Sequence, residues 1–229
     1  MTMQCMCKKV VCFDLDDTLY KEIDFLKSAY RHIASLVSDS NAPEDDVYQT
    51  LLNTYLQGGN AFAAVVQKYG FRLFTVDWML NVYRNHKPHI TLDNDTRLTL
   101  ERLKAEGVTM GIISDGRYAQ QMNKIDALGL KEFINEDDIV INTDRSRIKP
   151  DRLSFQRFMD KYGKDCDFWY VGDNTAKDFV GPNTLEWTTV CLLDDGRNIH
   201  KQDFLLETLA MPQMRIKCLS KLLDDEVGL

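Results

Sequence analysis

The sequence predicts an α/β protein: a doubly wound parallel sheet with an all-α segment inserted into it. Three observations carry that prediction. Short apolar runs of four to six residues recur along the chain, and stretches of helical periodicity separate the later ones. An interval of roughly 90 residues between the first and second runs reads as helix nearly throughout. Clusters rich in aspartate follow the first four runs, at the strand ends where an open parallel sheet binds its ligands.

The elements follow in order. Val10–Phe13 is the first strand. The helical interval holds Glu22–Val37, with apolar residues at helix spacing. A second helix starts at Ala42-Pro43-Glu44, where an early Pro and first-turn acids favour initiation, and runs to Leu56 before Gly58-Gly59. Ala61–Tyr69 and Thr75–Arg84 complete the insert, and the core resumes near Lys87-Pro88-His89. Beyond it, strands at Val108–Ile113, Ile139–Asn142, Phe168–Val171, Thr188–Leu193 and Met214–Leu219 alternate with helices at Asn94–Ala105, Arg117–Leu128, Asp151–Tyr162 and Ala176–Leu185. The expected organisation is a core of 1–19 and 88–229 with a helical unit of 20–87.

Composition narrows the function. A net charge of −7 and a pI near 5.1 disfavour a nucleic-acid polymer as partner, since such a partner needs a basic face. A small anionic substrate remains compatible if the site supplies its own positive charge. No apolar run is long enough for a membrane span, and the start of the chain shows no signal-peptide core. Six scattered cysteines read as reduced thiols of a cytoplasmic protein, and Cys5-Met6-Cys7 lacks the second pair of a zinc knuckle.

Strand ends collect the chemistry: Asp14-Leu15-Asp16-Asp17-Thr18, Ser114-Asp115-Gly116, Thr143-Asp144 and Gly172-Asp173-Asn174, with Lys149-Pro150 before the helix that precedes the fourth strand. Taken in order, Asp14-x-Asp16-x-Thr18, Ser114, Lys149 and Gly172-Asp173-Asn174-x-x-x-Asp178 resemble the four motifs of the haloacid dehalogenase superfamily, whose core is Rossmann-like. The resemblance spans residues 10 to about 195, and the helical insert corresponds to that family's cap.

The resemblance implies a role for each residue. Asp14 is the expected nucleophile, forming an aspartyl-phosphate; a carboxylate needs no base to activate it. Asp16 is the expected general acid–base, held protonated until it meets the leaving oxygen. That acid argues for phosphoryl chemistry over dehalogenation, where halide leaves without a proton. Asp17 is expected to shape the turn and Thr18 to brace it. Ser114 and the backbone N–H groups of Asp115 and Gly116 are expected to bind the phosphoryl oxygens. Asp115 stands where relatives often carry Asn, and its side chain is expected to point away. Lys149 neutralises the nucleophile and the phosphoryl group, with Arg147 as a rival. Mg²⁺ is the implied cofactor, held by Asp14, Asp173 and the Asp16 carbonyl. Asp178 either holds a metal-bound water or orients Lys149, and Asn174 fixes the loop.

A long gap before Ser114 and only 35 residues from Ser114 to Lys149 place the cap after the first strand, with hinges near Leu19–Lys21 and Lys87–His89. A covered site favours a small phosphorylated metabolite. Tyr20, Lys21, Lys27, Arg31, Arg72 and Arg84 are candidates to read it, while Phe62, Phe71, Phe74 and Trp78 read as cap core. The expected function is a Mg²⁺-dependent phosphatase. A phosphomutase and a non-catalytic phosphate-binding module are the alternatives. A signalling receiver domain would be shorter and would lack the insert.

Overall fold

The computed structural model describes residues 8–224, Val227 and Leu229, so Cys5 and Cys7 lie outside the described residues. The core begins with β1 (Lys9–Phe13). Four helices follow: α1 (Glu22–Val37), α2 (Glu44–Leu56), α3 (Ala61–Tyr69) and α4 (Val76–Asn85). The chain then alternates through α5 (Asn94–Ala105), β2 (Thr109–Asp115), α6 (Tyr118–Ala127), β3 (Ile139–Asn142), α7 (Leu153–Tyr162), β4 (Asp167–Gly172), α8 (Val180–Thr184), β5 (Thr188–Leu192) and β6 (Met214–Ile216). The strands form one sheet in the order β3-β2-β1-β4-β5-β6. Every pairing is parallel.

β1 lies inside the sheet, with Val11 level with Met110 on one side and Trp169 on the other. Val10 through Phe13 are fully buried, as a strand covered on both faces requires. Their side chains alternate between two cores. Val11 and Phe13 join an apolar cluster with Leu100, Leu103 and Ile125, while Val10 and Cys12 join Phe155, Phe158, Tyr170 and Trp187. The insert has an apolar cluster of its own, built from α1–α4 around Ile33, Val47, Leu51, Val65 and Met79. Phe62, Phe71, Phe74 and Trp78 pack against it as expected. No helix among the described residues is long and apolar enough to cross a membrane. Cys12, Cys166, Cys191 and Cys218 are free thiols, and Cys12 and Cys191 are buried.

Two elements differ from expectation. The helix expected at Ala176–Leu185 is confined to Val180–Thr184. A helix begun at Ala176 would need the Pro182 nitrogen to donate to the Asp178 carbonyl, and proline has no N–H to give. The segment from Asp173 to Asp178 instead closes on itself: the Lys177 and Asp178 N–H groups donate to the Asn174 carbonyl, and Asp178 Oδ2 accepts from the Asp173 and Asn174 N–H groups at 3.1 and 2.8 Å. The last strand stops at Ile216, and Leu219–Leu223 form a short 3₁₀ turn that buries Leu219 and Leu222.

Phe155 stands edge-on to both Tyr170 and Trp187, at 4.9 and 5.5 Å between ring centroids. Phe155→Ala is expected to cost about 3–5 kcal/mol in urea unfolding, the range for emptying a buried aromatic site.

Candidate active site

Because β1, β2 and β4 are parallel neighbours, their carboxyl ends share one edge, and everything that follows them converges there. Asp14 donates its backbone N–H to the Val171 carbonyl at 2.9 Å, which pins the first residue after β1 against β4. Ser114 and Asp115 end β2, and Asp173 follows β4 directly. Lys149 reaches the same point from the segment before α7. The exposed Arg147 is not among its neighbours.

Lys149 is the centre of this arrangement. Its Nζ lies 2.8 Å from Asp14 Oδ1 and 2.8 Å from Asp178 Oδ1, and it donates to the Tyr170 hydroxyl at 2.9 Å. The three charged side chains are almost wholly buried. Burial alone would push the Lys149 ammonium down; Asp14 and Asp178 outweigh it and hold the group well above its usual range. Gly172 makes room for the pair: a Cβ there would meet Asp178 Oδ2 at 2.5 Å.

One lysine does not balance these acids. One oxygen from each of Asp14, Asp173 and Asp178 falls within 4.8 Å of the others. Burial, then the charges of Asp178 and Asp14, push Asp173 up to about 9. Burial outweighs the attraction of Lys149 and pushes Asp14 up to about 6. Hard oxygen donors, close-set and short of positive charge, fit a divalent cation such as Mg²⁺.

Asp16 corrects an expectation. Burial raises its proton affinity, but the buried Lys124 ammonium outweighs burial, helped by hydrogen bonds from Lys124, Tyr20 and Gln121. Lys124 Nζ and the Tyr20 hydroxyl meet Asp16 Oδ1 at 2.7 and 2.5 Å, and Gln121 Nε2 donates to Oδ2 at 2.8 Å. Asp16 is therefore a carboxylate in this structure and not the protonated acid the sequence suggested. Asp115 also departs from expectation. Its Oδ1 accepts from Asn142 Nδ2 and the Lys149 N–H, and its Oδ2 pairs with Lys177 Nζ at 3.3 Å. The side chain stays at the site with its charge answered by Lys177. Gly116, at φ +154°, sits against the Gln121 side chain, in a backbone region that L side chains rarely adopt.

The acids enclose a cavity of about 160 Å³, lined by Asp14, Asp16, Ser114, Asp173, Lys177 and His200 among others. A haloacid dehalogenase-like hydrolase family model matches residues 11–190. The chain belongs to that hydrolase family. Glyceraldehyde 3-phosphate phosphatase of Methanocaldococcus jannaschii is 30% identical over 203 residues, covering 81% of this chain and 85% of that protein. The enzyme of the same name from Methanothermobacter thermautotrophicus is 27% identical, over 76% and 80% of the two chains. Among solved structures, the HAD-hydrolase YfnB of Bacillus subtilis matches with a TM-score of 0.65 at 18% identity, covering 94% of this chain and 97% of that one. The chain is a haloacid dehalogenase-like hydrolase of the phosphatase type.

In this hydrolase the sequence brought Asp14, Asp16, Ser114, Asp115, Lys149, Asp173 and Asp178 to one place. It left unread the side chains that hold them. Gln121 and Lys124 sit three apart on α6, and both are buried beside Ile125; polar residues on an inward face were the available signal. Lys177 precedes Asp178 within the last motif. The loop after β5 carried no signal, yet it closes one side of the site. Asn198 Nδ2 donates to Asp173 Oδ2 at 2.9 Å, the Ile199 N–H to Asp17 Oδ2 at 2.8 Å, and Gln202 Nε2 to the Asp173 carbonyl at 2.8 Å. Asp17, at φ +56°, also accepts from the Glu22 N–H at 2.9 Å, so it joins the turn to α1 and to this loop. Thr18 Oγ1 donates to Asp173 Oδ1 at 3.4 Å, and Asn174 Oδ1 accepts from the Ala176 N–H at 3.1 Å. Of the basic residues proposed to read a substrate, Lys21 is held by Asn198 and Asp195, and Arg31 by Asp45 and Glu44.

Removing Asp178 takes one of two counter-charges from the buried Lys149 and leaves the Asp173 and Asn174 N–H groups without their acceptor. Asp178→Ala is expected to lower stability by about 3–5 kcal/mol in urea unfolding. Gly172→Ala is expected to destabilise as well, because its Cβ displaces the same carboxylate. Asp160→Ala, on the exposed face of α7, is the control and should stay within about 0.5 kcal/mol of the parent.

Proposed function

We propose that this hydrolase is a Mg²⁺-dependent phosphatase of small phosphate monoesters, with Asp14 as nucleophile and α1–α4 as a cap over the site. The observation that carries the reading is the Lys149 bridge between Asp14 and Asp178 at the end of β1. It leaves a carboxylate at the cavity with an ammonium beside it, as attack on an anionic phosphoryl group requires.

The steps follow from the residues. Asp14 attacks phosphorus, and the bond to the leaving oxygen breaks while Asp16 hands that oxygen a proton. Asp16 then takes a proton from a water that attacks the aspartyl-phosphate; the bond to Asp14 breaks and phosphate departs. Asp16 is ionised beside Lys124 before substrate arrives; the substrate's own negative charge raises its proton affinity, and it takes the proton it will hand over from solvent or from the monoanionic phosphate as the substrate binds. Ser114 and the Asp115 N–H are the proposed phosphoryl ligands, with Lys149 as counter-charge; the Gly116 N–H, expected to join them, donates instead to the Asn142 carbonyl at 3.1 Å. The Asp14 and Asp173 carboxylates and the Asp16 carbonyl are the groups to hold Mg²⁺, and Asp178 orients Lys149. The ion, when bound, offsets the crowded negative charge and polarises phosphoryl oxygens.

Cavity size bears on the substrate. About 160 Å³ suits a phosphate with a short leaving group, and the glyceraldehyde 3-phosphate of the named relatives is of that size. Glu22 and His200 line the cavity beside the acids and are the side chains proposed to meet the leaving group. Burial, then Asp16, push Glu22 up to about 8, so it presents a neutral carboxyl to a sugar or aldehyde oxygen near neutral pH.

Phosphate release should be measured across triose, sugar and nucleotide phosphates with Mg²⁺ present. The expected result is fastest turnover on a three-carbon phosphate, with loss of at least about 10³-fold in Asp14→Asn. Unchanged release in Asp14→Asn, or full turnover in excess EDTA, would sink the mechanism. An isomerised sugar phosphate without free phosphate would indicate a mutase instead.

A pH dependence of metal binding follows from Asp173. Its folded pKa of about 9 exceeds its unfolded value, so without divalent cation its contribution to stability is complete at low pH and lost as pH rises toward 9. Asp14 acts in the same direction up to about pH 6. Metal binding must displace the Asp173 proton, so apparent Mg²⁺ affinity should rise by up to about tenfold per pH unit between pH 6 and 9. Thermal shift titrations at pH 6 and 8.5 are the check; equal affinity at both would contradict it.

A further inference from the structure

A second cavity, more spacious than the one that holds the acids, lies on the helical side of the molecule. A groove of about 1100 Å³ lies between the outer face of α1, the end of α4 and the segment 86–91 that returns the chain to the core. Its charged and titratable lining is Asp24, Lys27, Arg31, His32, Lys87 and His89, together with His86. Three of the chain's four histidines thus meet in one groove, and the fourth, His200, lines the active-site cavity. With Lys27, Arg31 and Lys87 against Asp24, the lining is basic in a chain of net charge −7.

The histidines are packed against one another and not against acids. The His32 and His86 rings stack at 5.1 Å. His86 is buried, 5% exposed. The Ser28 hydroxyl accepts from the His89 backbone N–H at 2.9 Å and meets His86 Nε2 at 2.8 Å. Burial, then His32 and His89, push His86 down to about 4; no carboxylate acts on it. Around the ring, Arg31 is taken by Asp45 and Glu44, and Lys27 stands 4.0 Å from Asp24. Lys87 is exposed and has no acidic partner among the described residues.

We infer that this groove is a second ligand site, one that binds a small anion carrying two or more negative charges on phosphate or carboxylate groups. The exposed Lys87 ammonium lacks a counter-charge that such an anion supplies, and the imidazoles beside it can turn ring N–H groups to the anion's oxygens. The volume is that of a metabolite site. A nucleic-acid polymer does not fit, because Asp24, Glu44 and Asp45 border the groove and would repel an extended phosphate chain. The site stands apart from the catalytic reading and does not rest on it.

The four histidines make the test direct. Imidazole resonances are followed by NMR in full-length Asp14→Asn without divalent cation, while inorganic pyrophosphate or citrate is added. The expected result is that His32, His86 and His89 shift together with one saturation constant in at least one titration, while His200 does not follow that curve. Pyrophosphate alone, or citrate alone, identifies the anion chemistry preferred. Lys87→Glu is expected to weaken that binding by at least about tenfold, and His32→Gln to weaken it also. Folding of each variant is checked by the unchanged His200 resonance. Phosphatase activity of Lys87→Glu in the otherwise native chain should match the parent. Shifts confined to His200, no saturation by either anion up to 10 mM (a ceiling of about −2.7 kcal/mol), or undiminished binding in Lys87→Glu would each overturn the site.

Discussion

Lys149 Nζ stands 2.8 Å from both Asp14 and Asp178 in a place closed to solvent. Two carboxylates sharing one ammonium in a medium of low polarity form an arrangement that tolerates little change. Removal of Lys149 leaves two buried carboxylates facing each other, and removal of either carboxylate takes one of the two counter-charges from the ammonium. The surrounding fold is organised to keep the three together. Tyr170 on β4 accepts from the ammonium, and the N–H groups of Asp173 and Asn174 hold the far oxygen of Asp178. Gly172 has no side chain to push that oxygen away. The short α8 belongs to the same account: Pro182 interrupts the helix, and the segment from Asp173 to Asp178 closes on itself.

A second balance of charge sits beside the first. Asp16 is answered by Lys124, and Asp115 by Lys177. Asp173 is not answered in this way. It is held by Asn198 and Thr18, and burial among acids raises its proton affinity further than that of Asp14. Lys124, Lys149 and Lys177 thus each answer a carboxylate at the site, while Asp173 has no cation in an ion pair among the described residues and, with Asp14 and Asp178, forms an oxygen cluster that fits a divalent ion. The loop after β5 serves this arrangement, because Asn198 and Gln202 orient Asp173 without adding charge.

Much of this was legible along the chain because it is local or periodic. β1 reads as buried on both faces since Val10 to Phe13 are continuously apolar, and Asp14 must then lie at the strand's end. Asp173 and Ser114 follow by the same reasoning. Asp16 shows where such reading stops. Its spacing from Asp14 was visible, but its protonation depends on Lys124, which is 108 residues away and reaches it only through the packing of α6 onto the sheet. Asp115 was misread for the same reason, since Asn142 and Lys177 lie on neighbouring elements.

By itself the sequence determined the order of strands and helices, the helical insert after the first strand, and which residues stand at the carboxyl ends of the strands. These follow from side-chain periodicity and backbone geometry, which act between near neighbours. Only the tertiary structure decided which acids are ionised, which cation answers each, and how the loop from Asp194 to Asp203 closes the site. The physical reason is that proton affinity and ion pairing depend on burial and on distances of a few ångströms across elements remote in the chain. The histidine groove is of the same kind: His32 and His86 are 54 residues apart, and their rings stack because α1 packs against the segment that follows α4.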